Sequence, residues 1–185
     1  MAISIRTATE DDAEWMAGLY NWYVLNTIVS FETDPVSTDG MRTRIREKLV
    51  RHDWLVGEQD GARIGYACYG SFRPRAAYNH TAESTVYVAR EHQGRGHGAA
   101  LYTALLDSAR RRGVRELIGV IALPNPESIR LHERLGFREV GILRQAGHKL
   151  GRYIDVGLWQ RAVNEGRGMR DEAVAEAEAR GHDEP

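Results

Sequence analysis

A single cysteine, Cys68, leaves this 185-residue chain without an internal disulfide framework or a multi-cysteine zinc site, which fits a reducing cytoplasm. No apolar run approaches the roughly 20 residues needed to cross a bilayer. The start, Met1-Ala-Ile-Ser-Ile-Arg6, lacks the basic segment and apolar stretch of an export signal, so a soluble cytoplasmic protein is expected. Five prolines and nineteen scattered glycines exclude collagen-like and low-complexity classes, and 42% hydrophobic residues argue against wholesale disorder. Lysine is nearly missing, because arginine supplies 23 of the 25 basic residues. The seven histidines show no His-x-x-x-His or comparable ligand spacing, so no metal is expected. No Gly-Lys-Ser/Thr occurs, which excludes a P-loop.

What is present points to one domain with a substantial core. The net charge of −1 conceals an uneven chain: residues 164–185 hold three Arg and seven Asp/Glu, a net −4, so residues 1–163 carry +3. The body, 1–163, is read as the folded domain. The segment 164–185 is read as an acidic tail, disordered, or alternatively a solvated helix from Asp171 to Arg180 supported by the Glu176–Arg180 pair.

Ile3 to Thr7 alternates as a half-buried strand does, and Thr9 with Asp12 forms a capping box before a helix whose apolar face is Trp15, Met16, Leu19, Trp22 and Tyr23. A second helix is expected over Thr38 to Val50. Trp54 to Glu58, Asp60-Gly61 and Ile64 to Tyr69 read as a hairpin. Glu83 to Ala89, rich in β-branched residues, reads as a buried strand. A helix through Leu101, Ala104, Leu105 and Ala109 ends at Gly113, and Leu117 to Ala122 is a further strand. A short helix from Asn125 to Leu135 precedes strands at Arg138 to Leu143 and Asp155 to Trp159. This order implies an α/β or α+β sandwich around a mixed sheet.

The strongest local signal is Gln93-Gly94-Arg95-Gly96-His97-Gly98, between a buried strand and a helix. Glycines let backbone approach a ligand, and the N–H groups opening the helix form an anion site suited to a phosphate, with Arg90 and Arg95 at its flanks. Gly94-x-Gly96-x-x-Ala99 formally matches a dinucleotide fingerprint, but it lies some four residues beyond the strand and past mid-chain, which disfavours a nucleotide-dependent oxidoreductase.

Gln93-x-x-Gly96-x-Gly98 after a Val-Tyr-Val strand, followed by Asn125-x-x-Ser128-x-x-Leu131-His132-x-x-x-Gly136-Phe137, resembles the acetyl-CoA signature of the GNAT superfamily of N-acetyltransferases. Glu83-Ser-Thr-Val-Tyr-Val88, Phe72-Arg-Pro-Arg75, Leu123-Pro-Asn125 and Ala146-Gly-His-Lys149 leading into Asp155-Val-Gly-Leu-Trp159 are similar to the phosphinothricin and methionine sulfoximine N-acetyltransferases. The resemblance spans residues 3–161. It implies a GNAT-like mixed central sheet flanked by helices, acetyl-CoA as cosubstrate, and a small amino acid or analogue as acceptor. It also implies resistance to an antibiotic or herbicide of that type, a homodimer, and no nucleic-acid or membrane partner.

Residue by residue, the resemblance implies that Val86, Tyr87 and Val88 splay from the neighbouring strand and bind the pantetheine arm, with a backbone N–H near Val88 facing the thioester oxygen. It places Gly94, Arg95, Gly96, His97, Gly98 and Ala99 at the pyrophosphate, Asn125 and Ser128 at the pantetheine, and Arg134 as a candidate for a CoA phosphate. Glu83 becomes the general base, in direct attack by the amine. Without the resemblance it reads as a strand-edge surface carboxylate. His132 stands where many GNAT enzymes carry a tyrosine; as a catalytic candidate it binds substrate, donates a proton, or does both, against the plainer reading of a helix-surface histidine. Arg73, Arg75 and Tyr78 are implied for an anionic acceptor, and Phe31 for the wall of its pocket. The rival to catalysis is an acyl-CoA sensor module that binds without reacting.

Overall fold

A computed structural model describes residues 3–164. Seven strands form one mixed sheet in the order β1-β2-β3-β4-β5-β7-β6. They are β1 (Ser4–Thr7), β2 (Trp54–Gln59), β3 (Ala62–Ser71), β4 (Thr81–Val88), β5 (Glu116–Ala122), β6 (Arg138–Lys149) and β7 (Arg152–Ala162). The helices are α1 (Ala13–Asn26), α2 (Thr38–Arg51), α3 (His97–Arg111) and α4 (Pro126–Arg134). The order of elements is the one the sequence predicts. Among the described residues, no helix is long and apolar enough to cross a membrane.

All adjacent strands pair antiparallel except β4 and β5, which run parallel and are joined by the α3 crossover. The β2–β3 hairpin turns on Asp60 (φ 53°) and Gly61 (φ 79°), the two left-handed positions that a tight hairpin turn requires. One face of the sheet is covered by α1 and α2 over Met16, Met41, Ile45, Val56 and Tyr66. The other is covered by α3 and α4 over Leu101, Tyr102, Leu105, Leu117 and Phe137.

Two expectations need correction. The buried stripe of α1 is Ala13, Met16, Ala17, Tyr23 and Val24, while Trp15, Leu19 and Trp22 are only partly buried along its flank. The alanines let the helix lie close to the sheet, and the indole of Trp22 instead carries the Arg90 guanidinium 4.6 Å from its ring centre. Strands β6 and β7 are also longer than their apolar segments: the register breaks after Leu143, residues 144–146 bulge out of the pairing, and the ladder resumes from Gly147 opposite Ile154 to Lys149 opposite Arg152. The acidic segment lies outside the described residues except for Asn164, whose amide donates to the carbonyls of Arg110 and Val114.

The capping box at Thr9 is tied to the first strand by charge. The Asp12 carboxylate accepts from the Thr9 N–H at 2.8 Å and receives both ends of the Arg6 guanidinium at 2.7 and 2.8 Å, with Arg63 at 3.1 Å. Arg6 also reaches Glu58 on β2, so this network joins β1, β2, β3 and the entry to α1. The Arg6 hydrogen bonds hold the buried Asp12 carboxyl below the usual aspartate range. Asp12→Ala is expected to destabilise the fold by about 2–3 kcal/mol, less than a fully buried pair because Arg6 is partly exposed. A depressed folded-state pKa stabilises the fold above the ordinary aspartate range and ceases to do so as pH falls through the folded value. Urea unfolding should therefore separate variant from parent at pH 7 and bring them together in strong acid.

Candidate active site

The β4–β5 ladder pairs Thr81 with Glu116 through Ser84 with Gly119, and stops there. Beyond that point Thr85–Val88 stay with β3 and Val120–Ala122 stay with β7. The backbone groups that would have joined the two strands instead face a cleft of about 550 Å³. Glu83, Val86, Tyr87, Asn125, Ser128 and His132 line it, and Phe31 closes one side.

His132 explains the fork. Its ring lies over Gly119, the last paired residue of β5, so close that a Cβ there would come 2.4 Å from Nε2. Only glycine admits it. Nδ1 donates to the Ser128 carbonyl at 2.8 Å, one turn back on α4. Burial lowers the imidazole pKa, so the ring is neutral at pH 7, and Nε2 accepts from the Tyr102 hydroxyl at 3.0 Å. Tyr102 Oη lies 2.5 Å from Ser84 Oγ, whose one proton is shared between Tyr102 and the Ile118 carbonyl at 3.2 Å. A hydroxyl chain thus runs from β4 across α3 to α4, capped by edge-on contacts of Tyr102 and His132 with Phe137. The helix-surface reading of His132 fails, because the residue is 5% exposed. Asn125 caps α4, its Oδ1 accepting the Ser128 N–H at 3.1 Å.

Glu83 sits on β4 opposite Gly70 of β3 and, with Thr85 and Tyr87, faces the α1–α2 side. It is a half-buried carboxylate, not a strand-edge surface group. Burial raises its pKa, and the charges of Lys48 and Arg73 pull it partly back. The Arg73 guanidinium rests 5.0 Å from the Phe72 ring centre, with Tyr78 edge-on to the same ring. Arg75 and Tyr78 occupy this exposed loop but do not line the cleft.

Phe31 is held from several sides. Its ring takes the space where Gly147 would carry a side chain. Lys149, itself buried, donates from Nζ to the Ser30 carbonyl at 2.5 Å, Tyr20 Oη lies 2.7 Å from Ser30 Oγ, and Arg44 grips Glu32 with two hydrogen bonds.

Past the C-terminal end of β4, outside the lining of the cleft, Gly94 (φ 73°) and Gly96 (φ 86°) adopt left-handed backbone with open space where side chains would stand. Gly96 is the N-cap of α3, and the first backbone bond of the helix runs from Ala100 N to Gly96 O. The N–H groups of His97, Gly98 and Ala99 remain available to an anion. Gln93 braces the turn, donating to Tyr23 Oη at 2.7 Å. The predicted pieces do not all converge. The His97 ring is turned inward beside His92, leaving its backbone at the turn. Arg134 stands beside Leu106, Asp107 and Arg110, roughly 15 Å along α3 from the turn at 1.5 Å per residue. Sequence reasoning missed Tyr102, Gly119, Gly147, Lys48 and Lys149. For the lysines a signal existed, since the chain has only two and both stand beside this cleft. Among the described residues, no His, Cys, Asp and Glu cluster could hold a metal ion.

Residues 5–158 match the acetyltransferase (GNAT) domain family. The chain is 42% identical over 159 residues to a phosphinothricin N-acetyltransferase of Streptomyces viridochromogenes, covering 86% of this chain and 87% of the relative. It is 35% identical to an L-methionine sulfoximine/L-methionine sulfone acetyltransferase of Salmonella typhimurium, covering 88% and 96%. The solved structure of a GNAT superfamily phosphinothricin acetyltransferase from Sinorhizobium meliloti, in complex with AcCoA, superposes with a TM-score of 0.87 at 34% identity, covering 90% of this chain and 91% of that one.

The packing of His132 on Gly119 is testable without reference to any reaction. Gly119→Ala should overpack the fork and lower stability by about 1–3 kcal/mol in chemical denaturation. Combined with His132→Ala, it should cost clearly less than the sum of the two single changes.

Proposed function

This chain belongs to the GNAT acetyltransferase family and is an acetyl-CoA-dependent N-acetyltransferase of the phosphinothricin and methionine sulfoximine type; we propose that it acetylates the α-amino group of a small amino acid or analogue by direct attack, with Glu83 as general base. The observation that carries this reading is a half-buried carboxylate at the point where β4 leaves β5, with the glycine turn at the far end of the same strand.

The forked strands suit a ligand that is extended and amide-bearing at one end and anionic at the other. The edge of Thr85–Tyr87 that β5 no longer covers faces a pantetheine arm, while the N–H groups after Gly96 and the Arg95 side chain suit the pyrophosphate. The acceptor approaches from the α1–α2 side, where Glu83 points.

An amine near the pKa of lysine is mostly protonated at neutral pH, so the first task is removal of its proton by Glu83, directly or through water. The nitrogen lone pair forms the C–N bond to the thioester carbonyl, whose oxygen takes the negative charge beside the β4 backbone N–H groups. Collapse breaks the C–S bond and leaves CoA as thiolate. The nitrogen still carries a second proton after attack; we place its transit on the Ser84–Tyr102–His132 chain, which takes it up at Ser84 with His132 Nε2 as the terminal acceptor and returns it by the same path to the thiolate, and whose Ser84 and His132 ends line the cleft. Both His132 nitrogens are already bonded within the protein, so it acts through this chain and not alone. Arg73 supplies charge for the acceptor carboxylate. Cys68 is buried and its thiol pushed up by desolvation, which disfavours the thiolate that an acetyl-cysteine route would need.

Protein mixed with acetyl-CoA and phosphinothricin should release free thiol only when the amine is present; CoA binding without thiol would indicate a sensor instead. Initial rates should give intersecting reciprocal plots, as direct transfer requires, and parallel plots would overturn it. Glu83→Gln should lower kcat by roughly 10² to 10⁴ in a folded protein. Because the base works ionised and burial raises its pKa, kcat should climb with pH through a limb above the ordinary carboxylate range, and Glu83→Gln should abolish that limb. Tyr102→Phe should lower kcat far more than the KM for acetyl-CoA, and an unchanged kcat would remove the hydroxyl chain from proton return.

A further inference from the structure

A second chamber, about 430 Å³, opens between α2 and the β3–β4 face. It adjoins the cleft, since Tyr20, Glu32, Thr85 and Tyr87 line both. Its floor includes Cys68 and Gly70, whose partners across the ladder are Thr85 and Glu83, so it lies directly beneath the proposed base. Met41, Trp54 and Tyr66 make its walls apolar and aromatic.

Glu32, Arg44, Glu47 and His52 also line this chamber, and Lys48 is the cation that reaches its floor. Its half-buried stem descends from α2, and Nζ lies 5.2 Å from the Trp54 ring centre and 3.0 Å from where Gly70 would carry a Cβ. Its charge is felt at Cys68 and at Glu83. Among the described residues, no carboxylate comes within 4.0 Å of this ammonium. Arg44, also at the rim, differs, since Glu32 holds it with two hydrogen bonds. A half-buried cation without a close counter-ion, walled by aromatics and set below a base, has the chemistry to receive an anion on a short apolar stem.

We infer that Lys48 anchors an oxyanion at the end of the acceptor side chain, so the preferred acceptors are amino acids ending in a phosphinate, phosphonate or carboxylate and not their neutral sulfone or sulfoximine counterparts. The inference rests on the reading that the acceptor amine meets Glu83. Arg73, on the loop between β3 and β4 and near enough to Glu83 for its charge to be felt there, then takes the α-carboxylate, and Lys48, in the chamber, the distal group. The two anchors stand on different elements, so an acceptor with both anions spans the space under Glu83 and presents its amine there.

The test is the ratio of kcat/KM for phosphinothricin to that for methionine sulfone, which differ in distal charge but share a tetrahedral polar end. In the parent protein the ratio should favour phosphinothricin. Lys48→Met and Lys48→Gln, two neutral replacements of different polarity, should each lower it at least tenfold, and Lys48→Arg should restore most of the preference. A ratio unchanged in whichever neutral variant folds would overturn the role of Lys48 while leaving the transferase reading intact. A parent protein that releases no thiol with either acceptor would overturn both.

Discussion

The chemistry of this molecule depends on one packing constraint: an imidazole and a β-strand side chain cannot share the space over Gly119. With glycine at that position the ring of His132 settles onto β5, fastened by Ser128 behind and Tyr102 in front. The parallel ladder ends at that level, and each strand keeps only its outer neighbour. Backbone released from a ladder in a protein interior is costly unless water, a side chain or a ligand satisfies it, which is the physical basis for reading the fork as a place for a ligand. The hydroxyl chain through Tyr102 and Ser84 ties α4, α3 and β4 together at this same level.

Charge is distributed around the fork by distance. The backbone N–H groups of α3 lie at one end, while the surroundings of Glu83 gather single cations on separate elements, Arg73 on the loop before β4 and Lys48 on α2. Both lower the cost of ionising Glu83, which burial alone would keep protonated to higher pH. The carboxylate thereby stands between two opposing effects, an arrangement common at sites that move protons near neutrality.

The element order, the hairpin turn, the capping box at Thr9 and the glycine turn were legible in the sequence because each rests on a local rule that tertiary packing did not override. The family resemblance brought Glu83, His132 and Phe31 to one cleft. What stayed hidden was set by contacts distant in sequence. Gly119 and Gly147 look like ordinary strand glycines until the rings that occupy their side-chain space are known. Tyr102 reads as one more core residue at helical spacing, and its hydroxyl partners come from β4 and α4. Arg134 follows the pattern of its helix but faces the far half of α3. The length of β6 escaped because an exposed polar strand has no apolar signature.

The near absence of lysine has a chemical corollary. An enzyme that handles an activated thioester sits beside a reagent that acylates exposed amines without catalysis. Here the side-chain amines number two. Lys149 is sealed inside, its ammonium given to the Ser30 carbonyl, and only Lys48 has a partly open path to solvent through the chamber. Arginine, which stays protonated and is no nucleophile at neutral pH, carries nearly all the remaining positive charge. The molecule is therefore a poor target for its own acyl donor, and amine-directed labels would mark the chamber beside α2 in preference to the rest of the described surface.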